Sequence, residues 1–230
     1  MKSIAIDGRL LSVAGFVRQG AQFADIGTDH AYLPIYLLKG GVISYAAASD
    51  INEGPLESAR ANAREYGVID KMSFHLADGL DDLKDSGVTD IAIAGMGGEL
   101  IADIVSRAEF VKNKDIRLIL QPMSKQAHLR RTLEAGGFRI IGESYSKSMG
   151  KYYLTVCAEY DGMPREIDLV EAELGRDEFV RELTPEAVGY FRTKLRALEK
   201  IGRGKAAGGE PTDTEDILSK KIKEIIGEAI

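Results

Sequence analysis

The chain has 230 residues, of which 44% are hydrophobic and 29% charged, and its formal net charge at pH 7 is −6. This length fits one large domain or one domain with an appendage, and the apolar share argues against a disordered chain. A single cysteine excludes an internal disulfide, and with only three histidines we expect no metal site. Because there is no long apolar run and no apolar leader, we expect a cytoplasmic protein without a membrane span.

Short apolar runs alternate with segments of helical periodicity over the first 160 residues. We predict strands at 22–26, 45–49, 72–77, 90–94 and 116–120, and helices at 31–39, 56–66, 100–110 and 128–133. Two last strands, 138–145 and 152–160, are separated by about six residues, too few for a crossover helix, so we expect them to pair antiparallel. The pattern predicts an α/β fold whose mostly parallel sheet is covered on both faces.

The chain changes character after residue 160, where no strand-like run follows. Two narrow helical seams lie on either side of a predicted linker at 203–212. Their members are Val188, Phe191, Leu195 and Leu198 in the first seam and Leu218, Ile222 and Ile225 in the second. We therefore predict an antiparallel helical hairpin that leans on the sheet or on a short helix at 167–174. This divides the chain into two domains, 1–160 and 161–230.

Carboxylates and glycines stand where the first four strands end, the place where open parallel sheets bind ligands. The first such loop, 25–30, keeps one glycine of the G-x-G-x-x-G pattern and carries two carboxylates, which would repel a pyrophosphate. The loop suits S-adenosylmethionine (SAM), which has a sulfonium and an ammonium group. We expect Asp25 or Asp29 to accept hydrogen bonds from the ammonium, beside Gly27. The alternative is that Asp29 caps the next helix and Asp25 braces the turn. His30 is a candidate acid or base, or a structural residue, and we assign it to the cofactor site.

The next strand ends carry features of an adenosine site. Asp50 lies about 20 residues beyond the loop, where an acid holds the ribose hydroxyls of NAD or SAM. We assign its neighbour Ile51 to the same site. Asp78 is expected to accept from the adenine amino group while Gly79 lets the ring approach, although Asp-Gly is also common in turns.

The fourth strand ends in Gly95-Met96-Gly97-Gly98, which leaves open space for a flat substrate, although glycine is also common where a helix begins. We assign Gly95 and Met96 to the cofactor site. Gln121, at the end of the fifth strand, is expected to form another wall.

Several strings together resemble the TrmK family of bacterial tRNA (adenine-22-N1)-methyltransferases. They are DIGTDHAYLP at 25–34, DIN at 50–52, DGL at 78–80, AGMGG at 94–98 and QP at 121–122, with GRLL at 8–11 and GKYY at 150–153. The likeness covers residues 5–160 and continues loosely into the tail. It implies a class I SAM-dependent, Rossmann-like methyltransferase domain with a seven-stranded sheet and a terminal antiparallel hairpin, followed by a helical coiled-coil-like domain. It also implies that Asp25, Gly27, Asp50, Asp78 and 95–98 line the SAM site.

The reaction implied is methyl transfer from SAM to N1 of adenine 22 in tRNA. N1 has its own lone pair, so the enzyme needs to orient it and exclude water rather than remove a proton. Because N1 lies on the Watson–Crick edge, the base must be unpaired or flipped into the cleft. We predict Asp29, Gly97 and Tyr32 as catalytic, with Asp29 or the carbonyls of 95–98 stabilising the positive charge on the adenine.

Basic residues cluster in the tail of an otherwise acidic chain, which favours a tRNA-contacting face over an ordinary solvated helix. The predicted substrate contacts are Arg9, Gln121, Lys125, Arg130, Tyr152, Arg192, Lys194 and Arg196, with Arg131, Lys200, Arg203 and Lys205 adding charge. Tyr32 and Tyr152 are candidates for stacking on the base, and Arg9 for holding a phosphate or the SAM carboxylate.

Three other functions stay open at this point. The chain could be a SAM-dependent methyltransferase of another substrate, or a non-catalytic SAM- or RNA-binding protein on the same scaffold. An NAD-dependent oxidoreductase is disfavoured by the missing loop glycines. The sequence sets no oligomeric state, and we expect a monomer or a weak dimer.

Overall fold

Seven strands form one mixed sheet in the computed structural model, which describes residues 4–181 and 183–227. The strands are β1 (Gln22–Ile26), β2 (Tyr45–Asp50), β3 (Met72–Leu76), β4 (Asp90–Gly97), β5 (Arg117–Ser124), β6 (Phe138–Ser148) and β7 (Lys151–Tyr160). Their spatial order is β3-β2-β1-β4-β5-β7-β6. Strands β1 to β5 are parallel, and β7 is antiparallel to both β5 and β6. The ends of β1 to β6 therefore meet at one side of the sheet, here called the carboxyl edge, and the predicted fold is confirmed.

Helices cover both faces of this sheet. They are α1 (Gly8–Ala14), α2 (Tyr32–Lys39), α3 (Glu53–Glu65), α4 (Gly98–Arg107), α5 (Gln126–Ala135), α6 (Leu169–Leu174), α7 (Pro185–Ala207) and α8 (Asp213–Ile226). Short 3-10 turns occupy Ile69–Lys71, Asp81–Leu83, Glu109–Val111 and Asp177–Phe179. Helices α1, α2 and α3 pack on one face around Phe23, and α4, α5, α7 and α8 pack on the other around Ile91 and Ile93. Successive strand residues point to opposite faces, which is why both halves of the core draw on the same strands.

Several predicted boundaries differ from the structure, among them the end of β5, which lies at Ser124 instead of 120. Strand β4 continues to Gly97 beyond a bulge near Ala94, instead of ending at 94. Strands β6 and β7 extend to a two-residue turn, because Ser148 pairs with Lys151. Helix α7 continues to Ala207, so the predicted linker at 203–212 is wrong over its first half. The helix passes through Gly202 and Gly204 and ends at a glycine pair, with Gly208 as its cap and Gly209 at a φ of 75°.

Helices α7 and α8 form the predicted antiparallel hairpin. Lys205 Nζ pairs with Glu215 at 2.8 Å, and Lys223 Nζ pairs with Glu199 at 3.8 Å. The earlier residue of α7 therefore meets the later residue of α8, so the two helices run antiparallel. Phe191 is fully buried in the same apolar core as the sheet. The domain boundary near residue 160 stays a prediction, since the tail packs directly on β6.

A buried polar network joins this tail to the sheet. The guanidinium of Arg130 on α5 donates to both carboxylate oxygens of Glu143 on β6, at 2.5 and 3.0 Å, and to the carbonyl oxygen of Ala172 in α6 at 2.8 Å. Tyr145 Oη donates to Glu143 at 3.3 Å, and the Tyr145 ring lies 5.2 Å from that of Phe191 on α7, centroid to centroid. The tail is therefore tied to the sheet by specific contacts as well as by apolar packing.

Candidate active site at the carboxyl edge

The loop after β1 is shaped by Gly27 and tied to β2. The N–H groups of Gly27 and Thr28 donate to the carbonyl oxygen of Ser49 at 2.8 and 3.1 Å. Gly27 has a φ of 72°, in the left-handed region that favours glycine, and a Cβ there would overlap Met96 Cε. Met96, predicted for the cofactor site, therefore packs against the glycine of the predicted SAM loop.

Asp25 is a buried carboxyl group at the carboxyl edge, and its pKa is raised. The residue is 7% exposed. Burial raises the pKa of Asp25 from 3.8 to about 6 against the opposing effects of the Thr28 hydroxyl and the Arg9 guanidinium, and the nearby Asp50 carboxylate raises it further. A cation bound beside Asp25 would favour its ionised form again. This is the environment that an ammonium ligand would complete.

Asp50 and two exposed apolar side chains form a second part of the carboxyl edge. Asp50 is the last residue of β2, and its Oδ1 accepts the N–H of Asn52 at 2.8 Å, leaving its other oxygen for a ligand. Leu76 pairs with Asp50 across β2 and β3 and is 55% exposed, and Ile51 is 64% exposed. Exposed apolar side chains beside a carboxylate suit a ligand with both a flat ring and hydroxyl groups, as adenosine has.

Asp78 follows β3 and is held by a cation that the sequence analysis missed. The Arg107 guanidinium on α4 donates to both Asp78 carboxylate oxygens at 3.3 and 3.4 Å. Each carboxylate oxygen accepts more than one hydrogen bond, so the pair leaves capacity for an amino group. A Cβ on Gly79 would lie 3.0 Å from Ile104 Cγ2, so packing as well as ligand access accounts for this glycine.

A cavity of about 300 Å³ opens between the loop after β1, the end of β4 and the start of α1. The predicted residues that line it are Arg9, Asp25, Gly27, Asp29, His30, Tyr32 and Gly95. Residues that also line it but were not predicted are Leu10, Thr28, Ala31, Leu33 and Ala94. Leu10 follows Arg9 in the GRLL string, which was the available signal, whereas the others follow only from the shape of the loop. The remaining predicted cofactor residues, Asp50, Ile51, Asp78, Gly79 and Met96, lie outside this lining.

Two rings and a carboxylate form one wall of the cavity. His30 stacks on Tyr32 with 5.2 Å between ring centroids and 29° between planes. Asp29 Oδ2 lies 3.3 Å from His30 Nε2. Helix α2 begins after Ala31 without a side-chain cap, so Asp29 does not serve as the cap that the alternative interpretation required.

Gln121 joins three chain segments behind the cavity. Its side chain is buried, and Oε1 accepts from Arg9 Nη1 at 3.0 Å and from the N–H of Gly95 at 3.1 Å. Its Nε2 donates to the carbonyl oxygen of Pro122 at 3.2 Å, which fixes the orientation of the amide. Gln121 therefore positions Arg9 and the end of β4, rather than facing the cavity as the wall expected from sequence.

The glycines at the end of β4 differ in whether backbone conformation or packing requires glycine at that position. Gly95 has a φ of 81°, whereas Gly97 has an ordinary φ of −66° and caps α4. A Cβ on Gly98 would lie 2.5 Å from the Lys125 carbonyl oxygen, so Gly98 is required by packing. A Cβ on Gly97 would meet only ordinary contact with Ser124 Oγ at 3.5 Å, so its predicted catalytic role stays a prediction.

Four basic residues of the tail are exposed and follow 4-4-3 spacing. This spacing places them on one face of α7, here called the basic stripe. Its members are Arg192, Arg196, Lys200 and Arg203. The stripe begins beside Tyr152, whose ring lies directly on the backbone of Gly189, at a groove of about 410 Å³ lined by both residues, Arg192 and Arg196.

Two of the predicted tRNA contacts are wrong because their charges are used inside the fold. Arg130 is 1% exposed and ion-paired with Glu143. Lys194 Nζ donates to the Glu173 carboxylate at 2.7 Å, and burial lowers the pKa of Lys194. Lys125 is exposed at the start of α5, 3.5 Å from Glu99, and stays a candidate. Counting charges along the sequence could not separate these cases.

Residues 4–181 and 183–227 contain no group of three or more histidine, cysteine or acidic side chains placed to hold a metal ion. Within the same ranges, no helix is long and apolar enough to cross a membrane.

Comparisons with known proteins show which family this chain belongs to. A family described as methyltransferase domain matches residues 6–156. The tRNA (adenine(22)-N(1))-methyltransferase of Bacillus subtilis is 36% identical over 170 residues, 71% of each chain. The structure of Streptococcus pneumoniae Sp1610 with S-adenosyl-L-methionine matches at 34% identity and a TM-score of 0.81, covering 95% of this chain and 98% of that one. The structure of M. capricolum TrmK with S-adenosyl-homocysteine matches at 25% identity and a TM-score of 0.79, covering 96% and 98%.

Proposed function

Because the chain belongs to the TrmK family of tRNA (adenine-22-N1)-methyltransferases, we propose that it transfers a methyl group from SAM to N1 of adenine 22 in bacterial tRNA. It is a SAM-dependent methyltransferase with the class I fold. The observation that carries the finer proposal is the relation to the B. subtilis enzyme, combined with three carboxylates along one edge of the sheet. Asp25 lines the cavity, and Asp50 and Asp78 lie beyond its lining, where β2 and β3 end.

The residues along the carboxyl edge match the chemical groups of SAM, and we infer that SAM binds along this edge. The buried Asp25 would take the ammonium of the methionine arm, in a loop whose Gly27 has no room for a side chain. Asp50 would hold the ribose hydroxyls, as a carboxylate does when two hydroxyls donate to it. Ile51 and Leu76 would flank the adenine while Asp78 accepts from its amino group. When bound, SAM supplies a methyl group on a positively charged sulfur.

The protein's own contribution to the reaction is positioning and charge. An adenine whose N1 faces the cavity needs no general base, so orientation and exclusion of water are the main tasks, worth about 7–11 kcal/mol in well-oriented reactions. The His30–Tyr32 stack offers a face for the base, and the exposed carboxylate of Asp29 lies beside it. As positive charge develops on the adenine, Asp29 would stabilise it.

The basic stripe supplies a path for the tRNA backbone. From Arg192 to Arg203 it spans about 17 Å of helix, and it begins beside Tyr152 near the carboxyl edge. This places positive charge on one side of an acidic protein, where it would attract phosphates without neutralising the whole surface. The stripe would hold the tRNA while the target base enters the cavity.

Transfer of labelled methyl groups tests this function. The protein is incubated with methyl-labelled SAM and unmodified bacterial tRNA, and the RNA is digested to nucleosides. The proposal predicts label in 1-methyladenosine, lost in Gly27→Leu because the added side chain overlaps Met96. If the protein binds SAM but labels another substrate, or transfers no label at all, the proposed substrate is rejected and the proposed cofactor is kept.

A further inference from the structure

The tip of the β6–β7 hairpin carries a large apolar residue in an unfavourable place. Met149 and Gly150 form the two-residue turn, with φ of 47° and 76°. Positive φ at both central residues is typical of a type I′ turn, where asparagine, aspartate and glycine are favoured. Met149 is also 95% exposed, more than any other large apolar side chain in the described part of the chain. Backbone preference and solvation thus both disfavour methionine here.

The tip is held beside the active-site cavity. Strand β6 runs in the direction of β5, so its end projects from the carboxyl edge. Ser148 Oγ donates to Asp7 Oδ2 at 2.8 Å, and Asp7 caps α1. A Cβ on Gly8 would overlap the Lys147 carbonyl oxygen, so the start of α1 lies directly on the hairpin. The next residue, Arg9, lines the cavity.

The surroundings of Met149 suit nucleic acid. Lys147 and Lys151 flank the turn and are both exposed, and Lys147 Nζ lies 5.3 Å from the centroid of the Tyr152 ring. Tyr152 connects the tip to the basic stripe through its contact with Gly189. An apolar side chain between two lysines, on a short turn, resembles the wedges that proteins insert between stacked bases.

We propose that Met149 is a wedge that enters the tRNA stack as adenine 22 leaves it for the cavity. The inference rests on the proposed function, because it assigns a role within methylation of a base that must be unstacked. Taking a base out of a stack leaves a gap, and an apolar side chain that fills the gap favours the flipped state. The paired strand ends on both sides of the turn and the bond from Ser148 to Asp7 would keep the wedge in place.

Met149→Asn tests the wedge, because asparagine is favoured in this turn and lacks the apolar bulk. Two substrates are compared under single-turnover conditions. One is unmodified tRNA, and the other carries an abasic residue opposite adenine 22, so that the target base is already unpaired. For Met149→Asn we expect methylation of the first to fall about tenfold or more and methylation of the second to change by less than about threefold. Met149→Leu should keep wild-type rates on both.

Two controls separate this role from folding and from loss of an exposed methionine. Thermal unfolding and SAM affinity of Met149→Asn should match the wild type or exceed it. Met163→Asn removes another exposed methionine, 58% exposed and outside the hairpin, and should leave both rates unchanged. Equal rates for Met149→Asn and wild type on unmodified tRNA, or equal losses on both substrates, would overturn the wedge. Absence of methylation by the wild type would instead reject the proposed function itself.

Discussion

Arg9 Nη1 donates to Oε1 of the buried Gln121 at 3.0 Å, joining the N-terminal helix to the end of β5 across 112 residues of sequence. The same oxygen accepts the N–H of Gly95, so one side chain fixes three segments around the cavity. Arg9 also lies near Asp25, whose ionised form it favours.

Arg9→Ala should lower kcat/KM for tRNA methylation by about 10- to 100-fold. It removes a cation from the cavity lining and the hydrogen bond that positions Gln121, and small misplacements at a reacting centre cost up to about 100-fold. Leu11→Ala is the matched control, because Leu11 is 46% exposed on the same helix and does not line the cavity. Steady-state kinetics at saturating SAM measure the effect. Equal rates for Arg9→Ala and wild type would contradict the assigned role.

Asp25 should make the stability of the protein and its affinity for SAM change in opposite directions as pH rises. Its folded-state pKa is about 6 and its ordinary value 3.8, so folding favours the protonated form. The stability this contributes is present below about pH 4 and is lost as pH rises through about 6, a difference of about 3 kcal/mol. SAM affinity should rise over the same interval, because the ammonium pairs with the ionised carboxylate.

Asp25→Asn should therefore raise the free energy of unfolding at pH 8 by about 1–3 kcal/mol while abolishing tight SAM binding. Urea unfolding without ligand and calorimetric titration with SAM measure the two effects. Asp29→Asn, whose carboxylate is exposed, should leave stability unchanged. A stability of Asp25→Asn equal to or below that of the wild type at pH 8 would show that the carboxyl group is not under this burial penalty.

Asp78 and Arg107 should differ in their effects on SAM binding. If Asp78 serves the adenine amino group, Asp78→Ala weakens SAM binding by about tenfold or more, consistent with loss of a charge-assisted bond. Arg107→Ala removes the exposed ion pairs with Asp78 and Asp103 but keeps the Asp78 carboxylate, and it should change the Kd by less than about threefold. Equal losses in both variants would mean that the ion pair, rather than the carboxylate, matters.

Removing the basic stripe should change the salt dependence of tRNA binding. With Arg192, Arg196, Lys200 and Arg203 all changed to Gln, the slope of log K against log salt should become less steep by about three to four. The matched control changes four exposed lysines away from α7 to Gln, which gives it the same net charge as the stripe variant. These are Lys71, Lys84, Lys112 and Lys114. An equal change of slope in both variants would indicate that net charge, not the stripe, binds tRNA.

Arg130 should matter for stability rather than for tRNA. Burial opposes its charge, but attraction and hydrogen bonding from Glu143 outweigh this and raise the pKa of Arg130. Arg130→Met leaves the Glu143 carboxylate buried without its cation and should cost about 3–5 kcal/mol of unfolding free energy. Adding Glu143→Leu should recover most of the loss in urea unfolding. A stable Arg130→Met single variant with weakened tRNA binding would restore the original interpretation.

The sheet and its strand-end carboxylates were predictable because apolar periodicity and turn residues are local signals. Asp25 and Gly27 could be placed from one loop, since the position after a buried strand determines which edge they occupy. The fate of a charged side chain could not be predicted in the same way. Arg130 and Arg196 look alike in sequence, and only tertiary packing buries the first against Glu143 and leaves the second exposed. Helix α7 likewise runs past Gly202 and Gly204 because contacts with α8 override weak helix propensity.

Mapping the methylated position in tRNA distinguishes adenine 22 from every other target. Unmodified tRNA is treated with the protein and SAM, and reverse transcription is read for a stop, since a methyl group on N1 blocks the Watson–Crick edge. We expect a stop at adenine 22, 1-methyladenosine on digestion, and loss of both in Asp50→Ala. Methylation at another position or on another base, with SAM bound normally, would contradict the proposed function.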